Sequence, residues 1–430
     1  MLIFSTVYNM TTPEELEDFA LAKLRDRKYL LSILEIIKGF IHERGLILYG
    51  GQAIDYALRL RDSKLYSDLE IPDYDFYSQN HVEDAYDLVD ILTERGYEFV
   101  SAIRAKHPQT MRVRVGINVV ADIGYITPLA FAEVKKHALE YNGMLVRSPY
   151  DQMVDILRQL SHPLDGFPRS SYKARSSKDL KRFDMLIEKY PLNALNIPAK
   201  GPPLKKTAVT VANPCHQVLG GCLAYCAFYA DYLRLKLPTE GILPASITHT
   251  DTGFEAEIVG HPILIIFEAA QANPKDTFTN EWYAPYMDNK PPSVIAKSGI
   301  EYWLTTYLYI LVAKWGNHYV MSLEGLLSYF LQRSVDTPLR STYGPFLISL
   351  MRMVDNIAKH RAPTKGTVFS PAARIMGCKN RPLETGFYPE IKDILPQEYH
   401  ASNDRPEPFQ YTSIFKTDGT KTSKDCVVIY

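Results

Sequence analysis

The sequence predicts an α/β (α+β) fold built from a helical arm, a sheet domain and a second domain that echoes the first. Three observations carry this expectation. Between residues 47 and 126, short runs rich in Val, Ile and aromatic residues alternate with segments whose apolar residues recur at helical spacing. Twice, at Gly50–Gly51 and at Gly220–Gly221, an apolar run ends in two glycines and a helix-like segment follows. At 430 residues the chain is also too long for one ordinary core.

The elements follow in order. "TTPEELEDFALAKL" places Thr12 as a cap, Pro13 at the first helical position and Glu15 as the reciprocal half of a capping box. Its helical spacing continues into "YLLSILEIIKGFI", so residues 1–44 form a helical arm. "GLILYGG" is a short buried strand closed by glycines, "QAIDYALRLR" a helix, "DYDFYS" a strand and "HVEDAYDLVDILTERGY" a helix. "EFVSAIRA", "TMRVRVGI" and "INVVADIGYI" are strands. "SPYDQMVDILRQLSHP" and "DLKRFDMLIEKYPL" return to helices and complete a domain over 45–195. "NIPAKGPPLKK", residues 196–206, has the Pro and Gly content of a linker.

A second domain is expected over 207–395. In it "QVLGGCLAYCAFYADYL" carries the second glycine pair, "FEAEIVGHPILIIFEA" is strand-like and "YWLTTYLYILVAKW" is a buried helix. No Asp-X-Asp follows these glycines, and "EAE" at 255–257 is the nearest substitute, which marks a degenerate copy. Residues 396–430 form a polar tail.

A formal net charge of −1 excludes a uniformly basic nucleic-acid coat, so any contact with a polyanion is local. Five cysteines without Cys-X-X-Cys spacing fit free thiols in a reducing compartment. Cys222, Cys226 and the nearby His216 permit a zinc site, but ordinary buried thiols account for them better. "MLIFSTVYNM" lacks the basic start and cleavage site of a secretory signal, and no apolar run is long enough to span a bilayer. A soluble cytoplasmic protein with no membrane partner is the expectation.

Asp73 and Asp75 stand two residues apart on an expected strand, so both carboxylates face one way while Tyr74 and Phe76 turn toward packing. Such a pair suits Mg2+ or Mn2+, and two such ions can activate a hydroxyl while neutralising a triphosphate. Asp122 ends a buried apolar strand, where an unpaired charge is costly, and a metal would explain it. Gly50 and Gly51 leave room for phosphate oxygens to reach backbone N–H groups at a helix N-terminus, where Gln52 adds a donor. Glycines, paired acids and a third acid in this order point to nucleotidyl transfer. Asp68 and Glu70 form a competing pair, but Pro72 separates them from the aromatic strand.

From Arg169 to Lys206 the chain carries ten basic residues against three acidic ones. Arg169, Lys173, Arg175, Lys178, Lys181 and Arg182 are the candidates for holding an RNA strand, and Arg104, Lys106, Arg112 and Arg114 extend that surface. A solvated helix face is the alternative. Tyr172, Phe183 and Tyr190 could stack bases, although aromatics at helical spacing are more often core.

"LYGGQAIDYAL", "PDYDFYS", "VVADIGYI" and "DILRQLSHPLDGFPRSSYKARSSKDLKRFDML" together resemble the poly(A) polymerase catalytic subunits of large nucleocytoplasmic DNA viruses. The likeness covers about residues 40 to 190. It implies a polymerase β-like nucleotidyltransferase domain followed by a degenerate copy. By resemblance, Asp73, Asp75 and Asp122 are the metal-binding triad, and Gly50 with Gly51 holds the ATP phosphates. Gln52 departs from the Ser common in the superfamily, and the gap from the glycines to Asp73 is longer than usual. The implied activity is template-independent addition of AMP from ATP to the 3'-hydroxyl of viral mRNA, in the infected cytoplasm or viral factory. Relatives differ in partner, some working with a processivity subunit and others as homodimers. A transferase with another nucleotide or a small-molecule acceptor, and a catalytically silent RNA-binding subunit, are the competing functions.

Overall fold

A computed structural model describes residues 13–67, 69–105, 110–161, 169–210, 217–251, 253–260, 262–266, 293–295, 301–303, 309–335, 337–370, 374–377 and 410–412. The expected arm is one long helix, α1 (Pro13–Glu43). Its apolar stripe of Ile33, Ile37, Phe40 and Ile41 is buried, so the arm is part of the core rather than an appendage. The expected cap Thr12 lies outside the described residues.

The first half then runs β1 (Ile47–Tyr49), α2 (Gly50–Arg59), β2 (Tyr74–Ser78), α3 (His81–Glu94), β3 (Val100–Arg104), β4 (Thr110–Val115) and β5 (Asn118–Tyr125). It continues through α4 (Pro128–His137), β6 (Leu139–Tyr141), β7 (Met144–Val146), α5 (Pro149–Ser161) and α6 (Arg169–Lys189). Arg44, just past α1, forms ion pairs with Asp84 and Asp87 of α3. Strand alternation sorts β4: Met111, Val113 and Val115 enter the core, while Arg112 and Arg114 take the other face.

After residues 196–204, which hold no helix or strand, come β8 (Lys205–Thr210), β9 (Gln217–Gly220), α7 (Gly221–Arg234), β10 (Ser246–Thr250), β11 (Gly253–Ile258) and β12 (Ile263–Ile266). Then follow β13 (Ser293–Ile295), β14 (Glu301–Trp303), β15 (Tyr309–Trp315), β16 (His318–Met321), α8 (Leu323–Val335), α9 (Thr337–His360), β17 (Arg374–Gly377) and β18 (Gln410–Thr412). The first large sheet has the order β18-β3-β4-β5-β2-β1-β7-β6, and the second β13-β14-β12-β9-β16-β15-β17. β10, β11 and β8 form a separate three-stranded sheet.

The two large sheets repeat one pairing scheme. β1 is antiparallel to β2 and parallel to β7, and β2 is parallel to β5. Likewise β9 is antiparallel to β12 and parallel to β16, and β12 is parallel to β14. One hydrophobic core runs through both halves. Across their junction Ser328 Oγ of α8 donates to Val154 O of α5, and Arg158 donates to Gln332 Oε1 at 3.0 Å.

Three expectations change. Within "YWLTTYLYILVAKW" the described residues form β14 and β15 rather than a helix. Its Ile, Val and aromatic content suits a sheet, with Ile310 and Val312 fully buried and Lys314 exposed. The "EAE" acids, Glu255 and Glu257, lie on β11 in the small sheet, because β12 is the strand that pairs antiparallel with β9. Within the expected polar tail, β18 pairs antiparallel with β3 and extends the first sheet.

Candidate active site

Four neighbouring strands assemble the site. In β1, β2, β5 and β4 the register sets Tyr49 opposite Asp75, Asp75 opposite Asp122, and Asp122 opposite Arg112. Residues paired across adjacent strands share a face, so a row of functional groups crosses the sheet. Asp73 precedes β2 and joins that face, while Tyr74 and Phe76 are buried on the other. One carboxylate oxygen from each of Asp73, Asp75 and Asp122 lies within 4.8 Å of the others. Glu70, of the competing pair, is exposed and accepts the Ser67 N–H at 2.7 Å, and Asp68 lies outside the described residues.

Packing the carboxylates together disfavours ionisation of Asp73 and Asp75. Burial, reinforced by Asp73 and Asp122, pushes Asp75 up to about 8, against the opposing pull of Arg182 and the Gly51 N–H. Burial and Asp122 likewise raise Asp73. Arg112 meets Asp122 with both prongs of its fork, Nε to Oδ1 at 2.8 Å and Nη2 to Oδ2 at 2.7 Å. Those hydrogen bonds raise Arg112 above its ordinary range. This pair corrects two expectations: a metal is not needed to explain a buried Asp122, and Arg112 belongs to the acid site rather than to an open basic surface.

The glycine loop closes the other side. Gly50 opens α2 with φ +69°, and a β-carbon there would lie 2.3 Å from Asp75 Oδ2. At Gly51 a β-carbon would lie 2.1 Å from Tyr66 Oη and 2.8 Å from Arg182 Nη2. Gln52 is buried in the first turn of α2. Behind the loop Tyr49 stacks on Tyr77 at 4.2 Å, and the Tyr77 hydroxyl accepts from the buried Arg147 at 2.8 Å. The donor set consists of carboxylate oxygens whose mutual repulsion a cation relieves, so these residues fit a divalent ion such as Mg2+ or Mn2+.

The basic helix divides its charges. Arg182 is buried, and its Nη2 donates to Tyr66 Oη at 3.2 Å beside the glycine loop. Arg175 donates to Asp179 at 2.8 Å and to Gln159 at 3.1 Å. Lys178 and Lys181 are exposed. Partial desolvation, with Arg182 and Arg175 beside it, lowers the Lys178 ammonium, against the opposing pull of Asp179 and Asp75. The side chains of Arg169 and Lys173 lie outside the described residues. Tyr190 is buried and donates to Ala57 O at 2.6 Å, so it serves the core. Cys222 and Cys226 are buried thiols outside any disulfide, and His216 lies outside the described residues.

Sequence reasoning missed the partnership of Arg112 with Asp122 and the place of Tyr66. The alternation of "TMRVRV" was the available signal for the first; nothing in the sequence marked the second.

Residues 35–166 match the model of the family described as "Poly(A) polymerase catalytic subunit". A protein of African swine fever virus (isolate Tick/Malawi/Lil 20-1/1983), named as a candidate poly(A) polymerase catalytic subunit, is 33% identical over 326 residues. That alignment covers 71% of this chain and 66% of the relative, so the chain spans slightly less than two thirds of its length. A mimivirus protein of the same name is 31% identical over 163 residues, covering 37% of this chain and 27% of that protein. The crystal structure of the Megavirus polyadenylate synthase superposes with a TM-score of 0.60 at 16% identity, covering 97% of this chain and 94% of that one, a likeness of fold. Because the segment that matches the poly(A) polymerase catalytic subunit family contains the glycine loop, all three acids and Arg112, the likeness to that family falls on the site itself.

Proposed function

We propose that the chain is a template-independent polynucleotide adenylyltransferase that joins the AMP of ATP to the 3'-hydroxyl of RNA and releases pyrophosphate. The observation that carries this reading is the carboxylate cluster set against a glycine-lined helix N-terminus on adjacent strands. Asp73, Asp75 and Asp122 would hold Mg2+ or Mn2+. Ions held there would lower the pKa of the attacking 3'-hydroxyl and neutralise the negative charge on the departing pyrophosphate.

The remaining roles belong to the chain's own groups. Gly50 and Gly51 let phosphate oxygens approach the N-terminus of α2, which favours negative charge. Arg112 fixes the rotamer of Asp122 and supplies the positive charge that permits its burial. Arg182 and Lys178 add positive potential on the phosphate side of the acids. The exposed Lys178 and Lys181, with Arg169 and Lys173 on the same helix, are assigned to the backbone of single-stranded RNA.

Residues 45–195 are assigned as the catalytic domain, 196–206 as the linker and 207–395 as its degenerate copy. In that copy Ile263 pairs with Gly220 as Asp75 pairs with Tyr49. The family description as a catalytic subunit favours a second subunit, either a processivity factor or another copy of this chain. The viral relatives favour the infected cytoplasm or viral factory as the place of action. Among the described residues no helix is long and apolar enough to cross a membrane.

Extension of a labelled single-stranded RNA primer, with ATP, GTP, CTP or UTP supplied separately, tests the reading. A ladder with ATP alone is expected. Extension with UTP in preference to ATP contradicts the assignment of nucleotide, and no extension by folded protein in the presence of either metal contradicts the activity.

A further inference from the structure

Asp55, within "GGQAIDYAL", has no part in the chemistry above, yet it is 1% exposed on α2. Its carboxylate takes three donors: Arg59 Nε at 2.5 Å, Leu65 N at 2.7 Å and Tyr66 N at 3.0 Å. Arg59 alone would neutralise the charge. The two backbone N–H groups reveal what the carboxylate holds, which is the loop carrying Tyr66. The Tyr66 hydroxyl in turn lies directly over Gly51 together with Arg182.

Arg182 has hydrogen-bonding capacity to spare. It is 6% exposed, its contact with Asp179 is long at 3.5 Å, and among the described residues its Nε finds no acceptor. A guanidinium with free N–H groups beside a glycine-lined helix N-terminus matches the geometry and charge of phosphate. Gly51 has a second reason to lack a side chain, since any β-carbon would displace this hydroxyl–guanidinium pair.

The internal repeat supplies a control. Gly221 opens α7 with φ +53° behind an extended Gly220, as Gly50 opens α2 with φ +69° behind an extended Tyr49. At equivalent steps the second half has Cys222 for Gly51, Cys226 for Asp55 and Ile263 for Asp75. Cys226 Sγ donates to Glu257 O at 3.5 Å, so that position binds a strand rather than a loop over the helix N-terminus. The half that lacks the acid on the sheet also lacks the acid that pins the loop.

We propose that Asp55 is a positioning residue of the nucleotide site: it fixes the Leu65–Tyr66 backbone so that the Tyr66 hydroxyl and the Arg182 guanidinium stand over Gly51 and bind phosphate groups of the nucleoside triphosphate. This rests on the adenylyltransferase reading.

The test is the dissociation constant of α,β-methylene ATP, which binds without transfer, measured with Mg2+ on the full chain, alongside the KM and kcat of extension. Asp55→Ala and Tyr66→Phe should each weaken binding about tenfold, seen mainly in KM. The double variant should lose no more than either single one, because both act through one contact. Asp55→Asn keeps an oxygen for the two N–H groups and should recover most of the loss. Tyr66→Phe removes a single hydroxyl, so it decides the matter even where Asp55→Ala fails to fold. Wild-type affinity in folded Tyr66→Phe, or losses that multiply in the double variant, would overturn the positioning role while leaving the enzyme assignment intact. Failure of the folded wild-type chain to bind the analogue would overturn both.

Discussion

Gly50 and Asp75 stand so close that a β-carbon at residue 50 would lie 2.3 Å from Asp75 Oδ2. Together with φ +69°, this contact leaves glycine as the residue that keeps both the turn and the carboxylate in place. Gly50→Ala should reduce primer extension by about a hundredfold, through displacement of Asp75. It should also lower stability in urea by about 1–3 kcal/mol. A fully active, equally stable variant would contradict the contact.

Arg112 grips Asp122 from the neighbouring strand, so its removal leaves a buried carboxylate without its partner. Arg112→Ala should lower kcat more than it raises KM for ATP, because the defect lies in the placement of an acid. Arg112→Lys supplies charge without the two-pronged geometry and should fall between Ala and wild type. Steady-state kinetics on the three proteins checks the order.

The raised Asp75 has a consequence for pH. Its folded-state value is pushed up to about 8, while an unfolded chain loses the proton near the ordinary carboxylate value of about 4. Between those limits the folded state holds more protons, so this group's contribution to stability falls as pH rises through that window. Cation binding requires the ionised carboxylate and therefore strengthens as pH rises toward and past 8. Mg2+ should raise Tm more at pH 9 than at pH 6.5. Equal shifts at the two values would contradict the buried carboxylate cluster.

Glu255 and Glu257 offer an internal negative control. They lie on β11 of the three-stranded sheet, paired with β8 and β10, and β12 occupies the position equivalent to β2. Glu255→Gln with Glu257→Gln should leave extension within about twofold of wild type, in keeping with ordinary surface substitutions.

Much of this site is visible in the linear sequence because its parts sit at strand ends with strong local signals. The glycine pair, the alternating acids of "DYDFYS" and the apolar run before Asp122 each mark one strand, and adjacency of β1, β2 and β5 does the rest. What escaped depends on register. Arg112 reaches Asp122 through hairpin pairing, and residue spacing alone does not say which arginine of "TMRVRV" meets the acid. Tyr66 arrives from a loop whose path is set by the buried Asp55, a long-range constraint without a local pattern. In the second half "EAE" imitates the acid motif in composition, but β12 is the strand that pairs with β9, which puts Ile263 at Asp75's place. Tyr309–Trp315 looked helical because aromatic and aliphatic residues suit a buried helix as well as a central strand.

On the proposed function, the carboxylates of β2 act in the transfer step. Single-turnover extension of an RNA primer by Asp73→Ala with Asp75→Ala, compared with wild type at matched circular dichroism and primer occupancy, measures it most directly. Loss of detectable transfer with RNA binding retained is the result this account predicts. Normal transfer by the folded double variant would contradict it.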